Sequence, residues 1–275
     1  MTETLRGPVV VRGAGDLATG VILRLVRSGF RVAALETPSP LAIRRSVAFS
    51  EAVYDGKAVV EGITARGAGS AAEALVLMRG GIVPVLVDPG CLLLGAFAPM
   101  ALVDATIAKR NLGTSPSMAP IVVALGPGFE APRDAHAVVE TNRGHGLGRV
   151  IRRGGAEPDT GVPGIIGGRG AERVVHARSS GVVRAIRGIG DAVAAGEPIL
   201  ALRDPDTGAE TVETARIDGM LRGLIRPGIL VPAGMKVADV DPRGEKSFCF
   251  QASDKALAVA GGVLEAILSL GGRPD

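Results

Sequence analysis

The chain has 275 residues, of which 47 % are hydrophobic and 21 % charged, and its formal charge is +3. Aromatics make up 3 %, with no tryptophan and one tyrosine, and five of the 31 basic residues are lysines (57, 109, 236, 246 and 255). Stacking platforms for single strands are therefore nearly absent, and nucleic acid is not an expected partner. Two cysteines make no disulfide framework. The longest apolar run, 91–103, is broken by Gly95 and Pro99 and is too short for a membrane span. With no signal peptide ahead of the first strand, a cytoplasmic protein with room for two domains is expected.

Val9, Val10 and Val11 run into Gly13-Ala-Gly15-Asp16-Leu-Ala18, and Leu17, Val21, Ile22, Leu25 and Val26 follow at the spacing of one helical face. Ser28-Gly29 stops that helix, and 30–36 reads as a second buried strand ending in Glu36. Strand, glycine turn, helix, strand and a distal acid form the pattern of a dinucleotide-binding βαβ unit. Gly13 allows a tight turn, Gly15 and Asp16 face a diphosphate at the helix head, and Glu36 is placed to accept from a ribose hydroxyl. The same glycines also serve a turn that binds nothing.

Arg44 and Arg45 follow the second strand and read either as a bidentate grip on phosphate or carboxylate or as a solvated pair. A helix is expected over Ala71–Arg79 and buried strands over 82–88 and 120–125. Asp104, Lys109 and Asn111 stand in a polar stretch that suits substrate orientation or plain helix capping. Gly126 and Gly128 form a turn at a strand's carboxyl end, where ligand-facing loops gather. Glu140, Asn142, Arg143 and His145 fall within six residues between glycines, as in a loop that carries chemistry or in a surface hairpin. Three isolated histidines (136, 145 and 176) supply no metal-ligand spacing, so no metal site is expected.

Beyond a glycine-rich linker at 158–170 the sequence repeats itself at an interval of 38 residues. Gly181-Val-Val-Arg184 recurs as Gly219-Met-Leu-Arg222, and Ala195-Gly196 recurs as Ala233-Gly234. Two short-strand units of this kind resemble the barrel-sandwich hybrid of biotinyl and lipoyl domains. The hairpin at 203–211 between the halves has no lysine, so no biotin or lipoate attachment is expected and the half reads as a docking module. Ser253 can cap a last helix over 256–270, which carries Gly261 and Gly262 and docks back on the first domain. The expected architecture is α/β, a Rossmann-like parallel sheet (1–165), a small barrel-sandwich β domain (166–247) and the C-terminal helix (248–275).

These segments together resemble the YqeB-type family of accessory proteins of the selenium-dependent molybdenum hydroxylase system. The likeness is carried by Gly13-Ala-Gly15-Asp16, Ile43-Arg44-Arg45, Ala108-Lys109-Arg110-Asn111, Leu125-Gly126-Pro-Gly128, Glu140-Thr-Asn142-Arg143-Gly144-His145 and Thr160-Gly161-Val-Pro163-Gly164. The resemblance implies a maturation factor that binds a nucleotide- or phosphate-bearing ligand, such as the dinucleotide form of molybdenum cofactor, and docks a molybdenum hydroxylase client. It implies no catalytic residue set, and turnover is left open. The alternatives are an NAD-dependent oxidoreductase, favoured over NADP by Glu36, and a scaffold with a vestigial nucleotide fold. A homodimer is the base-rate expectation.

Overall fold

The computed structural model describes residues 6–274, and its chain divides into two compact units. The segment up to Pro40, Ala48–Thr160 and the chain from Ala252 form the first; Leu41–Val47 and Gly161–Gln251 form the second.

The first unit runs β1 (Val9–Arg12), α1 (Asp16–Arg27), β2 (Val32–Glu36), α2 (Ala52–Asp55), β3 (Lys57–Val60), β4 (Ile63–Ala68), α3 (Ala71–Arg79), β5 (Val83–Val87) and α4 (Leu94–Phe97). It continues through β6 (Ala101–Asp104), β7 (Ile121–Leu125), β8 (Glu130–Ala131), β9 (Ala137–Val139), β10 (Val150–Ile151) and β11 (Gly154–Gly155), and closes with α5 (Asp254–Ser269). Nine strands form one sheet in the order β10-β9-β7-β6-β1-β2-β5-β4-β3, and β8 pairs with β11 apart from it. The central strands are continuous apolar runs because both faces are covered: β1, β6 and β7 are buried at every residue. On one face Val10, Leu35, Leu102, Val122 and Val138 join Met78 of α3 and Leu94 and Phe97 of α4 in a single core. Helices α1 and α5 pack on each other at Gly20, where an added Cβ would lie 2.8 Å from the Ala256 Cβ. Helix α5 is seated deepest at Gly262, whose missing side chain admits the Gly148 carbonyl oxygen.

The second unit holds β12 (Val174–His176), β13 (Gly181–Ala185), β14 (Ala192–Val193), β15 (Pro198–Arg203), β16 (Glu210–Thr214), β17 (Gly219–Leu224), β18 (Leu230–Val231) and β19 (Lys236–Asp241). They form two antiparallel sheets, β12-β19-β17-β14 and β16-β15-β13-β18. The 38-residue repeat maps β13, β14 and β15 onto β17, β18 and β19. Each sheet therefore takes its last strand from the other repeat: β14 pairs with β17, and β18 with β13. Val183, Ile199, Leu202, Leu221, Val231 and Val240 are among the residues of one shared core.

This corrects the expected Rossmann-like parallel sheet with a small barrel-sandwich appended. The large sheet is mixed, with antiparallel edges at β3/β4 and β9/β10. The β3–β4 edge arises from a two-residue turn in which Glu61 and Gly62 both have positive φ, the geometry that folds a strand straight back on itself. The second unit is a pair of four-stranded antiparallel sheets.

Candidate functional site

The strands at the middle of the large sheet run parallel, and the order in which they are added reverses between β1 and β6. From β1 the strands proceed outward through β2 and β5, and from β6 they proceed the other way through β7 and β9. The loops leaving the carboxyl ends of β1 and β6 diverge, which opens the crevice where sheets of this kind take ligands.

The turn between β1 and α1 is fixed from several sides. The Gly13 N–H donates to the Leu35 carbonyl at 2.6 Å and the Ala14 N–H to Glu36 Oε2 at 2.7 Å. The Ala14 carbonyl accepts from the Ser50 N–H at 2.8 Å and from the Thr19 hydroxyl at 3.1 Å. Gly13 is required by the backbone: its φ is +102°, and an added Cβ would lie 3.0 Å from the Ala105 carbonyl oxygen. Gly15 is not. Its φ of −69° suits any residue, and an added Cβ would meet nothing within 4 Å. No side chain caps α1 at Gly15, so the first-turn N–H groups lack the side-chain oxygen that a Ser or Asp there would provide.

The two loops flanking this helix head are tightly determined. After β6, Asp104 is wholly buried and accepts from Arg12 Nη1 (3.3 Å), the Thr114 hydroxyl (2.6 Å) and the Thr106 hydroxyl (2.7 Å). Ile107 and Lys109 follow with φ of +53° and +59°. Left-handed backbone at non-glycine residues costs about 1–3 kcal/mol each and concentrates at working sites. Lys109 Nζ then pairs with Asp159 Oδ2 at 2.7 Å. After β9, Glu140 is buried and accepts the N–H groups of Asn142 and Glu157, both at 2.7 Å. Arg143 makes a bidentate pair with Asp254 at the head of α5, at 2.8 and 2.9 Å.

Lys255, in the first turn of α5, completes the cluster. Burial, reinforced by the Arg143 guanidinium, holds its amine below the usual lysine range, while Asp16, Glu140 and Asp159 pull the other way. Sequence reading passes over this residue, although a lysine where the helix dipole disfavours a cation is a signal in itself. It also passes over Arg12, because an arginine at the end of an apolar strand does not reveal its buried partner.

The cluster thus joins Gly13, Gly15, Asp16, Lys109, Glu140 and Arg143, and leaves other expected residues elsewhere. Glu36 is engaged to the backbone of Ala14 and Thr37, the turn's own clasp. Arg44 and Arg45 fall in the second unit. Arg44 donates to the carbonyls of Phe248 (3.0 Å) and Gln251 (2.8 Å), and Arg45 to that of Leu224 (2.7 Å). Asn111 is consumed within its own loop, accepting from Gly113 and Thr114 N–H and donating to the Thr114 carbonyl. Gly126 and Gly128 are packing glycines: an added Cβ would lie 2.5 Å from Thr141 Oγ1 or from the Arg110 backbone. Asn142 and His145 are exposed on the loop after β9. Burial pushes the Cys91 thiol up to about 11, so it is protonated at neutral pH. Among the described residues no three His, Cys, Asp or Glu side chains gather to hold a metal ion.

No family model matches the chain. Among solved structures, the product-bound ectoine utilization protein EutE (DoeB) from Ruegeria pomeroyi is 14 % identical, covers 84 % of this chain and 56 % of its own, and gives a TM-score of 0.26. A succinylglutamate desuccinylase/aspartoacylase from Rhodobacter sphaeroides is 17 % identical, covers 86 % of this chain and 87 % of its own, and gives 0.29. Likeness at this level transfers no activity to the chain. The expected role as a maturation factor of a selenium-dependent molybdenum hydroxylase is supported by none of these comparisons and is not carried further. Over 262 residues, 95 % of its length, the chain is 50 % identical to the uncharacterized protein YqeB of Escherichia coli (strain K12), and it spans about half (47 %) of that relative.

Proposed function

We propose that the first unit binds a small oxyanion-bearing molecule at the carboxyl ends of β1, β6 and β9, against the uncapped head of α1. Gly15 carries this reading. Neither backbone conformation nor crowding demands a glycine there, and from that position no side chain caps the helix's first-turn N–H groups. Those donors and the positive end of the helix dipole favour an anion. The strained loop at Ile107 and Lys109 and the rigid loop at 140–143 give the same space firm walls.

The test is thermal unfolding with inorganic pyrophosphate and with citrate, at matched ionic strength, on the wild type and on Gly15→Leu. A ligand at 100 times its dissociation constant stabilises by about 2.7 kcal/mol. For a chain of this size that raises Tm by about 5–10 °C. A rise that Gly15→Leu abolishes, with an unchanged melting curve in plain buffer, is the expected result. No rise with either anion, or an equal rise in the variant, overturns the reading.

A further inference from the structure

A second cleft lies at the opposite end of the large sheet from the head of α1. It runs along the amino ends of three parallel strands, past Pro99 ahead of β6, Pro116, Met118 and Pro120 ahead of β7, and His136 ahead of β9. Its volume is about 610 Å³ and it opens on solvent; small-molecule sites hold about 300–1,000 Å³.

His136 stands in this wall with its proton fixed. Its backbone N–H donates to the Val122 carbonyl at 2.8 Å, and its Nδ1 accepts from the Val122 N–H at 2.9 Å. A main-chain N–H can only donate, so Nδ1 carries no proton and the neutral ring holds it on Nε2. Nε2 lies on the ring edge turned away from Val122 and has no partner among the described residues. Burial, reinforced by the Arg152 guanidinium, holds the imidazole below the usual histidine range, so it keeps this donor form at neutral pH.

The other walls are short of donors. Pro99, Pro116 and Pro120 have no N–H. The Met118 N–H is spent on the Ser115 carbonyl (3.2 Å), and the Ser117 hydroxyl is paired with that of Ser115 at 2.8 Å. What remains is pyrrolidine surface and a polarizable thioether, and sulfur of this kind favours contact with an aromatic ring.

We propose that this cleft binds a planar aromatic molecule whose ring bears one hydrogen-bond acceptor, and that the His136 Nε2–H donates to that acceptor. The apolar walls supply contact and the single directed donor sets orientation, the usual division of labour in a small-molecule site. A ring without an acceptor strips water from Nε2–H and returns no bond, so it is bound less well. The site is separate from the crevice at the carboxyl ends of β1, β6 and β9, and neither depends on the other.

The test uses three probes on the full chain: benzamide, toluene as the ring without an acceptor, and cyclohexanecarboxamide as the acceptor without an aromatic ring. The chain's three histidines make proton–nitrogen correlation of the imidazoles the direct readout. In His136→Asn the side-chain oxygen reaches the place of Nδ1 and keeps the bond to Val122, but nothing reaches the place of Nε2. In His136→Gln an amide nitrogen stands where Nε2 stood. The expected result is a His136 signal of the Nε2-protonated form that benzamide shifts, with toluene and cyclohexanecarboxamide each binding about tenfold more weakly. His136→Asn should bind benzamide about tenfold more weakly than wild type, the loss of one hydrogen bond, and His136→Gln should recover part of that loss. Ser117→Leu, at an exposed position on the rim, should fill the cleft and abolish binding, which keeps the test decisive if His136→Asn folds poorly. A proton on Nδ1, equal binding of benzamide by wild type and His136→Asn, binding retained in Ser117→Leu, or no binding to the wild type overturns the proposal.

Discussion

Asp104 shows how much of the first unit hangs on single buried groups. Its carboxylate is wholly enclosed at the end of β6 and gathers Arg12, Thr114 and Thr106. Arg12 in turn donates to the carbonyls of Pro89 (2.8 Å) and Leu112 (3.1 Å), so one ion pair ties the loops after β5 and β6 to the end of β1. Removing one partner of a buried pair strands the other charge, at a cost of about 3–5 kcal/mol. Asp104→Ala is therefore expected to lower stability by that amount in denaturant titration, and Asp104→Asn by less. A loss below about 1 kcal/mol for Asp104→Ala, the scale of exposed pairs, would show that the pair is solvated. The residues that form such networks are poorly legible in sequence. Arg44 and Phe248, or Glu36 and Ala14, meet across 204 and 22 positions, and nothing local marks a side chain as already engaged. Gly15 and Gly13 look equivalent in the string, and only φ and the neighbouring atoms separate them.

At the scale of elements, α5 carries two adjacent glycines with opposite roles. A Cβ at Gly261 meets nothing within 4 Å, whereas one at Gly262 collides with the Gly148 carbonyl and Val139. Helix propensity alone favours alanine at both by about 1 kcal/mol. Gly261→Ala is expected to raise stability by about that amount. Gly262→Ala is expected to lower it, since a backbone carbonyl yields less readily than a side-chain tip. The paired melting curves check this, and two shifts of the same sign would contradict the fit between α5 and the loop before β10. Elements defined by local patterns are legible without the structure. Helix α3 spans Ala71–Arg79 as its sequence reads, and the stripe of α1 and the apolar runs of β1, β2 and β7 follow from spacing alone. The hairpin β3–β4 is not, because its strands lack the strong alternation that would flag a half-exposed edge. The register and direction of edge strands depend on partners distant in the chain.

At the scale of the molecule, the repeat of the second unit is symmetric in its strands and asymmetric in its charges. Arg184 is exposed and pairs with Glu210, whereas its counterpart Arg222 is buried between Asp239 (2.6 Å) and Asp241 (3.1 Å). Arg173 adds a second cation to Asp239 at 2.5 Å. Burial pushes the Asp239 carboxyl up, and Lys236, Arg222 and Arg173 more than reverse it, so it sits below the usual carboxylate range. Asp241 is lowered as well, burial being outweighed by Arg243 and Arg222. A carboxyl held low in the folded state contributes stability that is complete above its unfolded value, about pH 3.9. That stability is lost as pH falls through the folded value. The second unit is therefore expected to keep its stability from neutrality down to about pH 4 and to lose it steeply below. In Asp239→Asn the loss below pH 4 should be shallower and the stability at pH 7 lower. Circular dichroism melts across pH 2–7 measure both, and parallel acid profiles for the two proteins would remove Asp239 from this role.

The first unit is assembled from stretches on either side of the second: β1 to β11 precede it in the chain and α5 follows it. Domains form as they leave the ribosome, earlier segments first. The sheet can pair its strands while the second unit is still being translated, but the Gly20 face of α1 stays bare, and the groove at Gly148 stays empty, until α5 emerges. The nascent chain thus exposes an apolar seam for as long as synthesis of the intervening residues lasts, and Lys255 reaches the cluster only at the moment that seam is covered.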